Sequence, residues 1–226
     1  MKAAFSTIFT VLFLDQISKV WVKLSMYQGE QIAVFGKWFY IHFLENPGMA
    51  FGFEFGGVYG KIALSAFRII AVVLISRYLF KFIKEGYPTG FIICASMVLA
   101  GAIGNIIDSA VYGLLFSDSP PIPGFVASFL PEDGGYAPFL MGNVVDMLYF
   151  PLFSFEWPEW MPFVGGNHFE FFRPVFNIAD SSITLGLVFI FIFQKRYFSH
   201  LSTEEIDEEF QSEEVSPAEE SGLERS

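Results

Sequence analysis

At 226 residues, 53% of them hydrophobic, with 30 Phe and only 16% charged, the chain is too apolar for a soluble domain of its size, and the bilayer is its natural solvent. The net charge of −11 is misleading until it is located: residues 203–226 carry ten Asp/Glu and one Arg, leaving about −2 for everything before them. The single cysteine, Cys94, excludes an intrachain disulfide and a thiolate metal cluster.

Four apolar stretches approach the length of about 20 helical residues that spans a hydrocarbon core. The first, residues 3–22, follows Met1-Lys2 but ends in LDQISKVWVK with no small-residue cleavage site, the pattern of a retained anchor rather than a cleaved leader. Within it Asp15 and Lys19 stand four apart with the acid first, the favourable order for a same-face pair. The reading from spacing is a self-neutralising pair that holds the helix end against the first outer loop.

That loop, 23–61, contains YIHFLENPGMAFGFEF, whose aromatic and β-branched residues predict short strands at the interface. The second span, 62–82, carries Arg68 in its outer part, an expensive place for a guanidinium unless it snorkels to headgroups or meets a carboxylate, phosphate or water. The third, 91–107, ends in GAIGNIIDS: Gly101 and Gly104 permit close helix contact, and Asn105 and Asp108 lie three apart on one face.

The segment 109–175 holds nine of the twelve prolines and one basic residue, Arg173, so regular helix is not expected across much of it. Its VVDM places Asp146 between apolar neighbours that press it back onto the membrane surface. The fourth span, 176–193, opens FNIADSSITLG, with Asn177 and Asp180 on one face of the first turns, where a carboxylate is stabilised by the helix N-terminus. The remaining 203–226 reads as a disordered acidic cytoplasmic tail.

Basic flanks stay on the cytoplasmic side. Lys2, then Arg77, Lys81 and Lys84 between spans two and three, then Lys195 and Arg196 after span four place both termini inside and the two long loops outside. All four Trp fall on that outer side, as expected of rings at headgroup depth. The expected fold is therefore an all-α integral membrane protein of four transmembrane helices with a small extracytoplasmic β-rich element in the first outer loop.

Ionisable groups at membrane depth are functional candidates by default. Asp108 and Asp180 each have a plain structural reading, as an interfacial anchor and a helix cap. Asp146 and Asp180 at one height can do more: two carboxylates sharing a proton supply the base that activates water and the acid that protonates a leaving amine. The three His are scattered with no HExxH, and no G-x-S-x-G elbow is present. A small transporter or lipid-binding scaffold would use Asp15, Lys19 and Asp108 equally well, but leaves the Asp146/Asp180 pairing and the order of motifs unexplained.

DQISK, NPGMAFG, GNIID, VVDM and FNIADS, in that order on four spans, resemble the bacterial lipoprotein signal peptidases (signal peptidase II). A presenilin-like protease would need G-x-G-D and more spans; GNIID is not that element. The resemblance implies that Asp146 and Asp180 are the catalytic pair, and that Asp15, Lys19, Asn46, Gly48, Asn105, Asp108 and Asn177 shape the site or contact substrate. It implies removal of the signal peptide from diacylglyceryl-modified prolipoproteins on the amino side of the lipidated cysteine, in the bacterial inner membrane with the site near the outer leaflet. It also implies no metal or organic cofactor and inhibition by globomycin-type cyclic peptides. The expected partners are lipid-modified prolipoproteins and membrane phospholipids, with no nucleic acid, and the expected state is a monomer.

Two departures stand out. The family usually has Arg directly after the GNxxD aspartate, where this chain has Ser109, so Arg68 is a candidate substitute, pairing with Asp108 or Asp15. Residues 117–142 and 151–173 look like insertions around Asp146 within a membrane peptidase domain of residues 1–202, and are candidates for an extra outer subdomain.

Overall fold

The structure, a computed structural model, describes residues 1–47, 57–171 and 174–197. Gly48 and the acidic tail lie outside the described residues. Helix α1 (Lys2–Ser25) is followed by strands β1 (Gln31–Phe35) and β2 (Phe39–Asn46), then helices α2 (Gly57–Lys84) and α3 (Thr89–Ile107). A π-helical turn (Asp108–Tyr112) and the short α4 (Gly113–Leu115) extend α3. Strands β3 (Val144–Tyr149), β4 (Phe153–Glu156), β5 (His168–Phe171) and β6 (Val175–Phe176) precede α5 (Ile178–Ile192).

Large apolar side chains line the outside of the helices. Phe5, Phe9 and Phe13 stack along one face of α1, and all three are more than half exposed, as are Phe67, Phe80 and Phe191. Charged Asp15, Lys19 and Lys23 are instead fully buried. This inverted distribution is that of a protein solvated by lipid. Among the described residues three helices, Lys2–Ser25, Tyr59–Lys84 and Thr89–Leu115, are long and apolar enough to cross a membrane. The fourth, α5, has 15 residues, or about 22 Å at 1.5 Å per residue, short of a core of about 30 Å. It is shorter than the expected 176–193 because Phe176 belongs to β6 and Asn177 is the N-cap; a further helical turn, 194–197, follows a break at Phe193.

The β-rich element is not confined to the first loop, as expected from sequence. Strands β1 and β2 are joined by β3 and β6 from the second loop, in the order β1-β2-β3-β6, all antiparallel. The stretch VVDMLY, with β-branched and aromatic residues around Asp146, is a strand whose partner is β2. The segment 117–142 is mostly turns, with one isolated bridge from Phe116 to Phe129. It folds back on the π-helical turn: the amides of Ala137, Leu140 and Gly142 donate to the carbonyls of Gly113, Ala110 and Ser109 at 2.9, 3.2 and 2.8 Å. The widened turn leaves those carbonyls free of helical partners, and the loop satisfies them.

Two apolar clusters flank a polar layer. One joins Ala4, Leu79, Phe91, Ile92, Ala95, Leu99 and Tyr197 at the end where the chain begins. The other packs Val22, Met26, Tyr112 and Phe116 beneath Phe43, Val145 and Met147 of the sheet. Between them α3 and α5 approach without intervening side chains. A Cβ at Gly101 would strike the Ala179 carbonyl oxygen and lie 2.7 Å from Ile183 Cγ1, and one at Gly104 would lie 2.7 Å from Asp15 Oδ2. Gly101→Ala is therefore expected to push α5 off α3 at a cost of about 1–3 kcal/mol, the usual range for overpacking. Thermal unfolding of the purified protein in detergent measures this, and a midpoint equal to that of the unsubstituted chain would contradict so close an approach.

Candidate active site

The polar layer is built from the inward face of α1, the end of α3 and the start of α5. Lys19 Nζ sits 2.8 Å from both Asp15 Oδ2 and Asp108 Oδ2, with all three side chains fully buried, and also donates to Asn105 Oδ1 at 3.1 Å. Thus the Asp15–Lys19 pair does not simply brace α1 against the first outer loop; it clamps α1 to α3. Gln16 adds a second bridge, its Nε2 donating to Asp15 Oδ2 at 3.0 Å and Asp108 Oδ1 at 2.9 Å, while Tyr112 donates to its Oε1 at 3.2 Å.

The outer lone pairs of these two carboxylates reach the elements that carry the other two. Asp15 Oδ1 accepts from the Ala179 amide at 2.9 Å, tying α1 to the first turn of α5. Asp108 Oδ2 accepts from the Val145 amide at 3.2 Å, tying the end of α3 to β3. Asp146 follows in β3, and Asp180 is the third residue of α5, so each is held one residue from a backbone group fixed by the buried charge cluster.

Asn177 connects the two. As N-cap of α5 its Oδ1 accepts from the Asp180 amide at 2.9 Å, and Asp180 Oδ2 accepts from the Asn177 amide at 3.3 Å, a reciprocal capping box. Its Nδ2 donates to Asp146 Oδ1 at 2.8 Å and also reaches Asn105 Oδ1 and the Val145 carbonyl. Asn105 Nδ2 in turn donates to Asp180 Oδ1 at 2.8 Å, and Asn46 Nδ2, from β2, donates to Asp146 Oδ2 at 3.2 Å. The structure thus gathers Asp15, Lys19, Asn46, Asn105, Asp108, Asp146, Asn177 and Asp180 into one network.

Asp146 is only 5% exposed. Burial, and next the negative charge of Asp180, push its carboxyl up to about 7, although the Asn46 and Asn177 amides act in the opposite sense. A carboxyl poised there exchanges a proton near neutrality, the property required of an acid–base group. Among the described residues no cluster of His, Cys, Asp and Glu is arranged to hold a metal ion.

Arg68 takes a different partner from the one expected. Asp15 and Asp108 are already paired with Lys19, and the Arg68 guanidinium donates through Nη1 to Ser109 Oγ at 2.9 Å. It remains within electrostatic reach of Asp180, Asp108 and Asp146.

Sequence reasoning missed a second buried charge pair. Lys23, fully buried, forms an ion pair with Glu45, donates to Ser119 Oγ at 2.8 Å, and lies over the rings of Tyr136 and Phe116 at 4.9 and 5.6 Å. Glu45 Oε2 accepts from Asn143 Nδ2 at 2.9 Å, and Asn143 Oδ1 accepts from Lys61 at 2.8 Å. The available signal was a lone acid inside HFLEN, facing a lysine one turn beyond Lys19. Because strand residues alternate faces, Glu45 pairs with Val145 on the side of Lys23 while Asn46 turns to Asp146 on the other. The ion pair therefore opposes a one-residue slip of β2, which would exchange the two.

Glu45→Gln is expected to destabilise the protein by about 3–5 kcal/mol, because it strands a buried ammonium, and Lys23→Met with Glu45→Leu to recover most of that loss. Thermal unfolding of the three proteins side by side decides it. A single variant as stable as the unsubstituted chain would mean that Lys23 has water or another anion to turn to.

The sequence model of the signal peptidase (SPase) II family matches residues 7–195. A lipoprotein signal peptidase of Porphyromonas gingivalis is 46% identical over 201 residues, covering 88% of this chain and 86% of that one. One from Amoebophilus asiaticus is 37% identical over 180 residues, covering 78% and 71%. Among solved structures, a bacterial membrane enzyme determined by the in meso method at 2.3 Å superposes with a TM-score of 0.55 at 20% identity, covering 99% of this chain and 96% of that one. A second, at 1.9 Å, gives 0.54 at 24% identity, covering 85% and 92%. At those identities the structural likeness speaks to the fold.

Proposed function

The chain belongs to the signal peptidase II family, and from that premise we propose that it is an intramembrane aspartic endopeptidase that removes the signal peptide from diacylglyceryl-modified prolipoproteins, cutting on the amino side of the lipidated cysteine. The observation that carries the aspartic reading is the Asn177 side chain, which engages Asp146 through Nδ2 and the Asp180 amide through Oδ1. In this reading the helices form four spans of a bacterial inner membrane protein, with both termini cytoplasmic and the carboxylates near the outer leaflet. Residues 1–202 are the catalytic unit, functioning as a monomer without a cofactor, and 203–226 is an appended tail. Globomycin-type peptides would compete with the substrate for the same residues.

In this reading Asp146, whose environment favours the neutral form, carries the proton, and Asp180 acts as base. A water between them gives a proton to Asp180 as its oxygen attacks the scissile carbonyl, while Asp146 donates a hydrogen bond to the carbonyl oxygen. Collapse of the tetrahedral intermediate breaks the C–N bond, and a carboxyl proton passes to the leaving amine of the lipidated cysteine. Asn46, Asn105 and Asn177 keep the carboxylate planes from turning away, and Gly48, two residues beyond Asn46 in sequence, is proposed to contact the substrate as in the family it resembles.

Asp146→Asn and Asp180→Asn are each expected to lower turnover by several orders of magnitude while leaving membrane insertion intact, since either change removes half of a unit. Turnover of Asp180→Asn comparable to the unsubstituted enzyme would sink the assignment. The pH profile adds a signed test. Above about pH 7 Asp146 loses the shared proton, so kcat/KM should fall. Asn46→Ala removes a donor that favours the ionised form, raising the carboxyl further and moving this alkaline limb to higher pH.

Arg68 stands in for the arginine that this chain lacks at Ser109, acting through the Ser109 hydroxyl and its field on the carboxylates rather than by an ion pair. Arg68→Ala should depress activity strongly, and Arg68→Ala with Ser109→Arg should restore part of it. Full activity in Arg68→Ala would assign the side chain to the lipid headgroups instead.

A further inference from the structure

The β4–β5 hairpin is a two-stranded sheet separate from the four-stranded one. Its register pairs Phe153 with Phe171 and Phe155 with Phe169, and Trp157 continues the same face. The five rings form a ladder: Phe153 and Phe171 stack at 4.8 Å, Phe155 meets Trp157 at 4.8 Å and Phe169 at 5.0 Å. The alternate positions are occupied by Ser154, Glu156, His168 and Glu170. At the tip Trp160 is 80% exposed and Phe163 fully exposed, the latter at φ 68°, a left-handed conformation unusual for an aromatic residue.

An isolated hairpin is marginal in water, and this one leaves Phe153, Phe155 and Phe171 between 39% and 52% exposed. It needs an apolar phase to lie against. Its neighbours point to which one. The aromatic surface continues from its base through Phe150, which stacks on Phe39 at 4.6 Å and Phe176 at 5.8 Å, to Trp38 and Phe35 at the β1–β2 turn. Phe176 directly precedes the N-cap of the apolar helix α5, so this surface runs on into the lipid-facing helices. Residues 151–171 contain no Lys or Arg, Arg173 being the first basic residue after them, so the hairpin itself presents apolar surface rather than cations, and its two amphipathic rings, Trp157 and Trp160, favour the headgroup–acyl boundary.

We propose that the β4–β5 hairpin is a membrane-interface foot, its Phe153/Phe155/Trp157/Phe169/Phe171 face and its Trp160/Phe163 tip seated in the headgroup–acyl boundary, with Glu156, at an alternate position, on the water side. The hairpin links β3, which carries Asp146, to β6 and the Asn177 cap of Asp180, so the bilayer surface steadies the connection between the two carboxylates. Seating rests on the membrane placement of the helices, not on the peptidase reading.

The test uses the full chain with Trp21→Phe and Trp38→Phe, leaving Trp157 and Trp160 as reporters, reconstituted in phosphatidylcholine vesicles with or without bromine on the upper acyl chain. Rings at this depth should lose roughly half or more of their emission to bromolipid and little to aqueous iodide. Quenching by iodide alone would overturn the proposal and leave the aromatic face in water for a soluble partner; protection from both would overturn it in favour of a protein–protein contact. If that variant does not fold, a spin label at Phe163→Cys in a Cys94→Ala background reads the same depth, with greater accessibility to oxygen than to a water-soluble nickel chelate expected and the reverse overturning the seat. Neither readout involves cleavage, so failure here leaves the peptidase reading intact.

Discussion

One buried ammonium holds this structure together. Lys19 is shared between Asp15 and Asp108, with no exposure on any of the three side chains, and burying such charges is tolerable only if every lone pair and proton finds a partner. Those partners come from everywhere at once: Gln16 of α1, Asn105 of α3, the Ala179 amide of α5 and the Val145 amide of β3. No subset of these elements satisfies the cluster. Assembling the helices and docking the strand onto them is therefore a single requirement, set at the depth where the carboxylates of Asp146 and Asp180 stand.

The same constraint makes the site chemically poised. Tying Val145 to Asp108 seats Asp146 among Val144, Val145 and Met147, all buried, which disfavours its charged form. Tying Ala179 to Asp15 fixes the first turn of α5, so that Asn177 caps Asp180 with one end of its amide and grips Asp146 with the other. A structural salt bridge and the proposed acid–base pair are thus mechanically one object, and the second buried pair, Lys23 and Glu45, guards the strand register from the opposite face of the sheet.

Much of this was legible in the sequence, for definite reasons. The membrane helices announce themselves by apolar runs, Asp15 and Lys19 by helical spacing, and a close helix contact by Gly101 and Gly104, although not that its partner is α5. What escaped was every partnership across long sequence separation. Nothing local in GNIID indicates that Asp108 shares Lys19, that the helix widens into a π-turn there, or that its free carbonyls are taken by residues 137–142. VVDM reads as a surface-seeking aspartate until β2 is seen beside it. The alternation of Phe153, Phe155 and Trp157 carries a strand signal that the prolines, which argued only against regular helix, overshadowed.

The central claim is that this network hydrolyses one bond in one kind of substrate. Purified enzyme incubated with a diacylglyceryl-modified prolipoprotein and with its unmodified counterpart, followed by mass spectrometry of both products, tests it directly. An intact signal peptide and a mature chain beginning at the lipidated cysteine are expected from the modified substrate only, with both products lost in the presence of globomycin. Equal cleavage of the unmodified protein, or a cut at any other bond, would contradict it.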